Sequence, residues 1–171
     1  MAFGSLAAPA FLLGVVAAFF RPSLSLRKKG MKGKPRDGFK LVPELAEGKH
    51  EVACYNLCRI FLMDDANYPC WVVLVPQIND VKEVIELSEA DQRLLWEEVG
   101  RVSRVLKKLF DPACKLNIAT LGNVVSQLHL HITLRLPSDP AWPGPCYGAL
   151  SATPYTEDAR TLMLEKLRTA L

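Results

Sequence analysis

Two of the chain's three histidines, His129 and His131, stand one residue apart in the stretch SQLHLHITLR, Ser126 to Arg135. Side chains two apart on a β-strand share a face. Strand geometry therefore gathers Leu128, Leu130, Ile132 and Leu134 on one apolar face, and Gln127, His129, His131, Thr133 and Arg135 on the other. A helix would scatter the leucines and leave no stripe. The strand sets the two imidazoles roughly 7 Å apart along one face.

Four uses of such a pair compete. The histidines could simply decorate a solvated strand face. They could bind a metal, with a third ligand from His50, a cysteine or a carboxylate. A phosphoesterase with two His-x-Thr motifs would use His131-Ile132-Thr133, but His50-Glu51-Val52 is not a second copy, so that reading fails. The last use is nucleophilic. A neutral imidazole can attack phosphorus to give a phosphoramidate that water then cleaves, splitting one hard displacement into two. Its other nitrogen must be held by an acceptor that sets the tautomer, and the phosphoryl oxygens need donors. His131, Asn117, Asn123 and Gln127 are the candidate donors, all within one strand–turn–strand unit.

The elements that must position these groups are legible on either side. CRIFLMDD (58–65), a turn at 66–69 and CWVVLVP (70–76) read as a β-hairpin, its second strand too apolar to face water. Ser88, with Asp91 three residues on, opens a helix. Its apolar stripe is Leu95, Val99, Val102, Leu106 and Leu109, and Asp111-Pro112 ends it. KLNIATLG (115–122) is a further strand, and 155–171 a terminal helix led by Thr156-Glu157-Asp158. Short connections between neighbouring strands favour antiparallel pairing, so the class is α+β.

Of 171 residues, half are apolar, which suits one domain with one core. Residues 1–37 hold seven basic side chains and one acid; the remainder carries 14 Lys and Arg against 17 Asp and Glu. The body is mildly acidic, which argues against a general nucleic-acid surface. An uncharged apolar run, MAFGSLAAPAFLLGVVAAFF, precedes the basic RPSLSLRKKGMKGKPR. Residues 1–36 thus divide from a domain of residues 37–171. Three readings of the extension stay open: a membrane contact or anchor through residues 1–20, an organelle-targeting peptide, or an over-extended start with Met31 opening the domain. The location expected is the cytoplasm, or an organelle or cytoplasmic membrane face if the extension acts. Five cysteines at irregular spacing point to a reducing compartment. Cys54 and Cys58 could form half a zinc site, but no second pair follows.

LNIATLGNVVSQLHLHITLR resembles the signature of the histidine-triad (HIT) superfamily of nucleotide hydrolases and transferases. The family carries three histidines at alternate positions, and Gln127-Leu128-His129-Leu130-His131-Ile132 is similar with glutamine in the first place. The likeness runs from about Phe39 to Gly148 and looks closest to small bacterial-type HIT proteins with a Gln-x-His-x-His variant. It implies a HIT-like fold, an antiparallel sheet with one long helix packed on it and a C-terminal helix. It implies His129 as nucleophile and His131 as the phosphate-contacting histidine. It places Asp64 on the ribose hydroxyls, Asn117 on phosphate, Asn123 near the leaving group, and Ile60 and Leu62 in a base pocket or in ordinary core. Gln127 leaves the first histidine's supporting role unfilled. Residues 142–145 make a rigid loop near the site or a structural cap. The substrate implied is a nucleotide conjugate such as a diadenosine polyphosphate or a phosphoramidate, the partner a second copy in a homodimer. No cofactor or metal is required for the chemistry, with Mg2+ entering only on the substrate's phosphates.

No apolar periodicity links residues 1–30 to the body. A chain starting at Met31 should match the full chain in melting temperature and turnover, measured side by side; a large loss in either would place the extension inside the domain.

Overall fold

The computed structural model describes residues 33–171, so the readings placed on residues 1–32 lie outside it. Five strands form one sheet: β1 (Lys49–Cys54), β2 (Cys58–Met63), β3 (Cys70–Pro76), β4 (Lys115–Ala119) and β5 (Leu130–Arg135). Their order is β1-β2-β3-β5-β4, every neighbouring pair antiparallel. Helix α1 (Glu89–Leu109) connects β3 to β4, and α2 (Glu157–Ala170) closes the chain. This is the expected α+β arrangement.

Both helices begin where their side chains can cap them. Ser88 accepts from the Asp91 N–H and Thr156 from the Ala159 N–H, satisfying amides that have no partner within the helix. Acids in the first turn of α1 and lysines 107 and 108 in its last suit the helix dipole. Leu95, Val99, Val102 and Leu106 of α1 then bury against Ile60, Leu62, Val72, Leu74, Leu130, Ile132 and Leu134 of the sheet. Met163 and Leu167 of α2 join the same core.

The other face is not open to water. Residues 39–45 lie over it, Leu45 packing with Phe61, Val73 and Val75, and Phe39, Leu41 and Val42 around them. His129 is 7% exposed, and Thr133 and Arg135 are buried beside it, so the solvated-face reading of the histidines does not hold. Gly33 N–H donates to the Cys54 carbonyl and Arg36 N–H to Gln77 Oε1, each at 2.9 Å, tying residues 33–36 to the body.

Three elements differ from the sequence reading. Strand β1 carries no strong apolar pattern: only Val52 is buried, and a bulge between Glu51 and Ala53 breaks its alternation. Strand β4 stops at Ala119, and the chain turns through Gly122 at φ 67°. Strand β5 begins at Leu130, one residue after His129, although alternation continues back through Leu128. Among the described residues no helix is long and apolar enough to cross a membrane.

One buried carboxylate joins α1 to the β1–β2 turn. Glu98, 3% exposed, accepts from the N–H of Leu57 and of Cys58, each at 2.9 Å. Glutamine would keep one acceptor and turn an NH2 donor against the other N–H. Glu98→Gln should therefore lower unfolding stability by about 1–3 kcal/mol in urea titration; an unchanged midpoint would show that the turn holds without it.

Candidate active site

Strand pairing sets the histidine face in rows. Directly opposite residues share a face; one row runs Phe61, Val73, His131, Ala119, and the adjacent one includes Trp71, Thr133 and Asn117. Within these rows the imidazoles of His129 and His131 stand with ring centroids 5.1 Å apart at 80°. Side-by-side strand placement is thus tightened by the ring orientations.

Each ring has one nitrogen engaged, and the two partners have opposite chemistry. His129 Nδ1 lies 2.7 Å from the backbone carbonyl of Gln127. A carbonyl only accepts, so Nδ1 carries a proton, and in the neutral ring the lone pair is therefore on Nε2. Trp71 Nε1–H donates to His131 Nδ1 at 3.0 Å. An indole N–H only donates, so His131 Nδ1 is the acceptor and its proton sits on Nε2. Burial, reinforced by His129 and by the Lys49 ammonium, pushes the His131 pKa down to about 4. With His131 neutral, the pair presents a free His129 Nε2 edge and an N–H on His131 Nε2.

Arg135 organises the far end of the same face. Its guanidinium grips the Asp139 carboxylate at 2.6 and 2.9 Å, a charge-assisted two-point contact. It also donates to Asn117 Oδ1 at 2.9 Å and to the Gly144 carbonyl at 3.0 Å. The bond to Gly144 draws the 142–145 loop to the site, and Trp142 lies over the guanidinium at 5.9 Å. The bond to Asn117 settles which end of that amide is oxygen, leaving Nδ2 as its donor.

The other residues expected at the site are placed differently. Gln127 does not offer its amide to a phosphate: Oε1 accepts from Val42 N–H at 3.0 Å and Nε2 donates to the Lys40 carbonyl at 2.9 Å. It serves the site through its backbone carbonyl instead. Asn123 is exposed in the turn after β4. Asp64 is turned away from the histidines. It follows Leu62 in alternation, accepts from Tyr155 N–H at 2.9 Å and lies 3.7 Å from His50 Nε2. In the free protein one Asp64 oxygen is therefore engaged by the main chain that leads into α2, and the other lies beside His50. Ile60 and Leu62 are fully buried in the core under α1, so ordinary core is the correct reading of both. On the histidine side, the end of β2 presents Met63, which packs between the Phe61 and Trp71 clusters. Among the described residues, no cluster of three or more His, Cys, Asp or Glu could hold a metal.

Trp71 and Tyr147 went unremarked in the sequence, although one signal was there. An indole N–H in a strand too apolar for water must find a buried acceptor, and His131 supplies it. Tyr147 comes from the loop after β5, its ring 5.3 Å from His131 and 5.6 Å from Trp71.

The antiparallel five-stranded sheet with its two helices is the α+β architecture of the HIT fold. The HIT domain family model matches residues 48–137, more than half of the chain, and the chain belongs to that family. Its members are in general nucleotide hydrolases or transferases. The structure is similar to a histidine triad protein from Bradyrhizobium japonicum, at 38% identity and TM-score 0.73, covering 77% of this chain and 97% of that one. One from Sinorhizobium meliloti is also 38% identical, at TM-score 0.73 over 83% of this chain and 100% of that one. One from Marinobacter aquaeolei is 39% identical, at TM-score 0.73 over 78% and 96%. No protein with a curated description matches.

Asn117→Asp separates a donor from a strut. Aspartate keeps, and by charge strengthens, the bond from Arg135 while removing the Nδ2 donor. If that donor meets a phosphoryl oxygen, kcat should fall by about 10²–10³ with the melting temperature held or raised. Unchanged kcat would make Asn117 a structural partner of Arg135 only.

Proposed function

We propose that this protein cleaves a nucleotide conjugate at its α-phosphorus through a nucleotidyl-histidine intermediate on His129. The observation that carries the reading is the opposite chemistry of the partners at the two Nδ1 atoms, a carbonyl for His129 and an indole N–H for His131. His129 Nε2 has the lone pair for in-line attack, and His131 Nε2–H is the adjacent donor for a non-bridging oxygen. Attack forms the N–P bond and breaks the bond from phosphorus to the leaving group, which departs with that electron pair and takes a proton from solvent; Nδ1–H stays hydrogen-bonded to the Gln127 carbonyl, which stabilises the cationic ring that results. Water then attacks the same phosphorus and gives up a proton to solvent, the N–P bond breaks to return its electron pair to Nε2, and the nucleoside monophosphate is released. Asn117 Nδ2 is a second donor to the phosphoryl group in this reading, and Asn123, exposed in the turn, is the group assigned to the leaving group.

The substrate class is a diadenosine polyphosphate, a nucleoside phosphoramidate or another adenylylated group, as expected of a Gln-x-His-x-His member of the family. Any Mg2+ is carried by the substrate phosphates. We also propose a homodimer. Strand β4 is the sheet edge, and Ile118 on it and Leu121 and Val124 after it are exposed, Val124 at 97%. An uncovered apolar edge of this kind suits pairing with a second copy. A cytoplasmic site of action goes with the free cysteines.

Turnover of a fluorogenic AMP-amidate followed by alkaline quench, where an N-phosphoryl bond survives, tests the chemistry. Label should map to His129, and His129→Ala should abolish turnover while AMP binding persists. An active His129→Ala protein, or loss of activity to a chelator with no metal added, would overturn the covalent route. AMP binding without any turnover on a panel of conjugates would favour a nucleotide-binding scaffold.

A further inference from the structure

The chemistry proposed above needs His131 to present an N–H toward substrate at all times, and an imidazole by itself does not guarantee that. A neutral ring exchanges its proton between two nitrogens, and a protonated ring carries both. We infer that Trp71 is a positioning residue that locks His131 in its Nε2–H form by donating an indole N–H to Nδ1. The inference rests on the nucleotidyl-histidine reading for its use, but the lock itself is a property of the free protein.

Several observations converge on it. The bond is 3.0 Å from Trp71 Nε1 to His131 Nδ1. Trp71 lies on β3 opposite Thr133, one row from His131 on the same face, so the sheet register itself brings the two rings together. The indole is held edge-on by Tyr68 at 5.6 Å and by Tyr147 at 5.6 Å, and it is 7% exposed. Tyr147 also packs on His131 at 5.3 Å. Neither ring therefore has room to turn away.

The donor is also one that does not titrate. Adding a second proton to His131 would place an N–H on Nδ1 facing the indole N–H, two donors with no acceptor between them. The half-buried ring, packed edge-on against Trp71 and tilted against Tyr147, makes that clash costly to relieve. The titratable and charged groups facing the ring act in the same direction or not at all. His129, just before β5, and Lys49 from β1 both oppose a positive charge on His131. From the loop after β5, Tyr147 is held neutral by burial, its pKa pushed up to about 12. The Arg135 cation, farther along β5, is neutralised by Asp139. The sign follows: protonation of His131 is deferred to acid well below the ordinary imidazole range, near 6.5. Through the whole neutral and mildly acid range it stays a neutral donor, and the neighbouring His129 is spared a cation beside its lone pair.

Nitrogen-15 NMR of the histidine rings in the unmodified free protein reads the lock directly. His131 Nδ1 should appear as an unprotonated acceptor nitrogen at neutral pH and remain so as the pH falls toward about 4. Trp71→Phe keeps an aromatic ring but removes the N–H. It should release the tautomer, raise the pH at which His131 takes its second proton, and add an acid limb to the activity profile. Its kcat should drop about 10- to 100-fold with KM little changed, less than outright loss of a donor. Trp71→Phe must be checked for folding by its amide spectrum; if it does not fold, the wild-type ring titration decides alone. A protonated Nδ1 on His131 in wild type, an ordinary titration near 6.5, or an unaltered tautomer in folded Trp71→Phe would overturn the lock. Those outcomes leave the His129 label untouched, and absence of that label leaves the lock untouched, so the two readings fail separately.

Discussion

Strand β5 has a register that cannot slip, and the site hangs on that. Leu128, Leu130, Ile132 and Leu134 are each no more than 2% exposed and lie under α1. A shift of one residue would exchange the faces, driving His129, His131 and Arg135 into the apolar core and four aliphatic side chains out of it. Unpaired polar groups there would each cost several kcal/mol. Hydrophobic burial on one side of the strand therefore enforces the order of chemical groups on the other. The spacing of the site is a by-product of core packing, which is why it is so well defined.

The histidine face is itself an interior, of a different kind. Residues 39–45 cover one part of it, and the loop through Asp139, Gly144 and Tyr147 covers another. Inside it, polar groups are matched to partners of specific chemistry: Gln127 carbonyl to His129, Trp71 indole to His131, Asp139 to Arg135, Arg135 to Asn117. In a space with little water such bonds are stronger, and leaving one unmade is costly. The rings and the amide are consequently oriented before any ligand arrives, and this is the condition under which fixed dipoles stabilise developing charge without reorganisation.

Two copies of one residue type take different parts because their neighbours differ. His129 faces an acceptor and His131 a donor, and the proton ends on opposite nitrogens of the two rings. Burial and the nearby positive groups then keep His131 neutral. Environments that push like groups apart are how a site obtains distinct roles from the same chemistry. Here the distinction comes from a main-chain carbonyl and an indole, neither of which titrates.

Much of this was legible in the sequence because it depends on local periods. Alternation in 126–135 separated the leucines from the histidines, the 3.6-residue stripe from Leu95 to Leu106 located α1, and Ser88 and Thr156 marked helix starts. Parity in CRIFLMDD also places Asp64 with Ile60 and Leu62, away from Phe61. Strand β1 escaped because a bulge breaks its alternation and only Val52 is buried. What the sequence could not supply were the partners. Gln127 is taken by Val42, 85 residues away; Asp64 by Tyr155, 91 away; His131 by Trp71, 60 away. Each of those bonds joins segments with no shared period, brought together only by strand order and by the loops laid over the sheet. The sequence by itself determined which residues share a face; the tertiary structure alone decided which nitrogen of each histidine is free, because a tautomer is set by the partner and not by the ring.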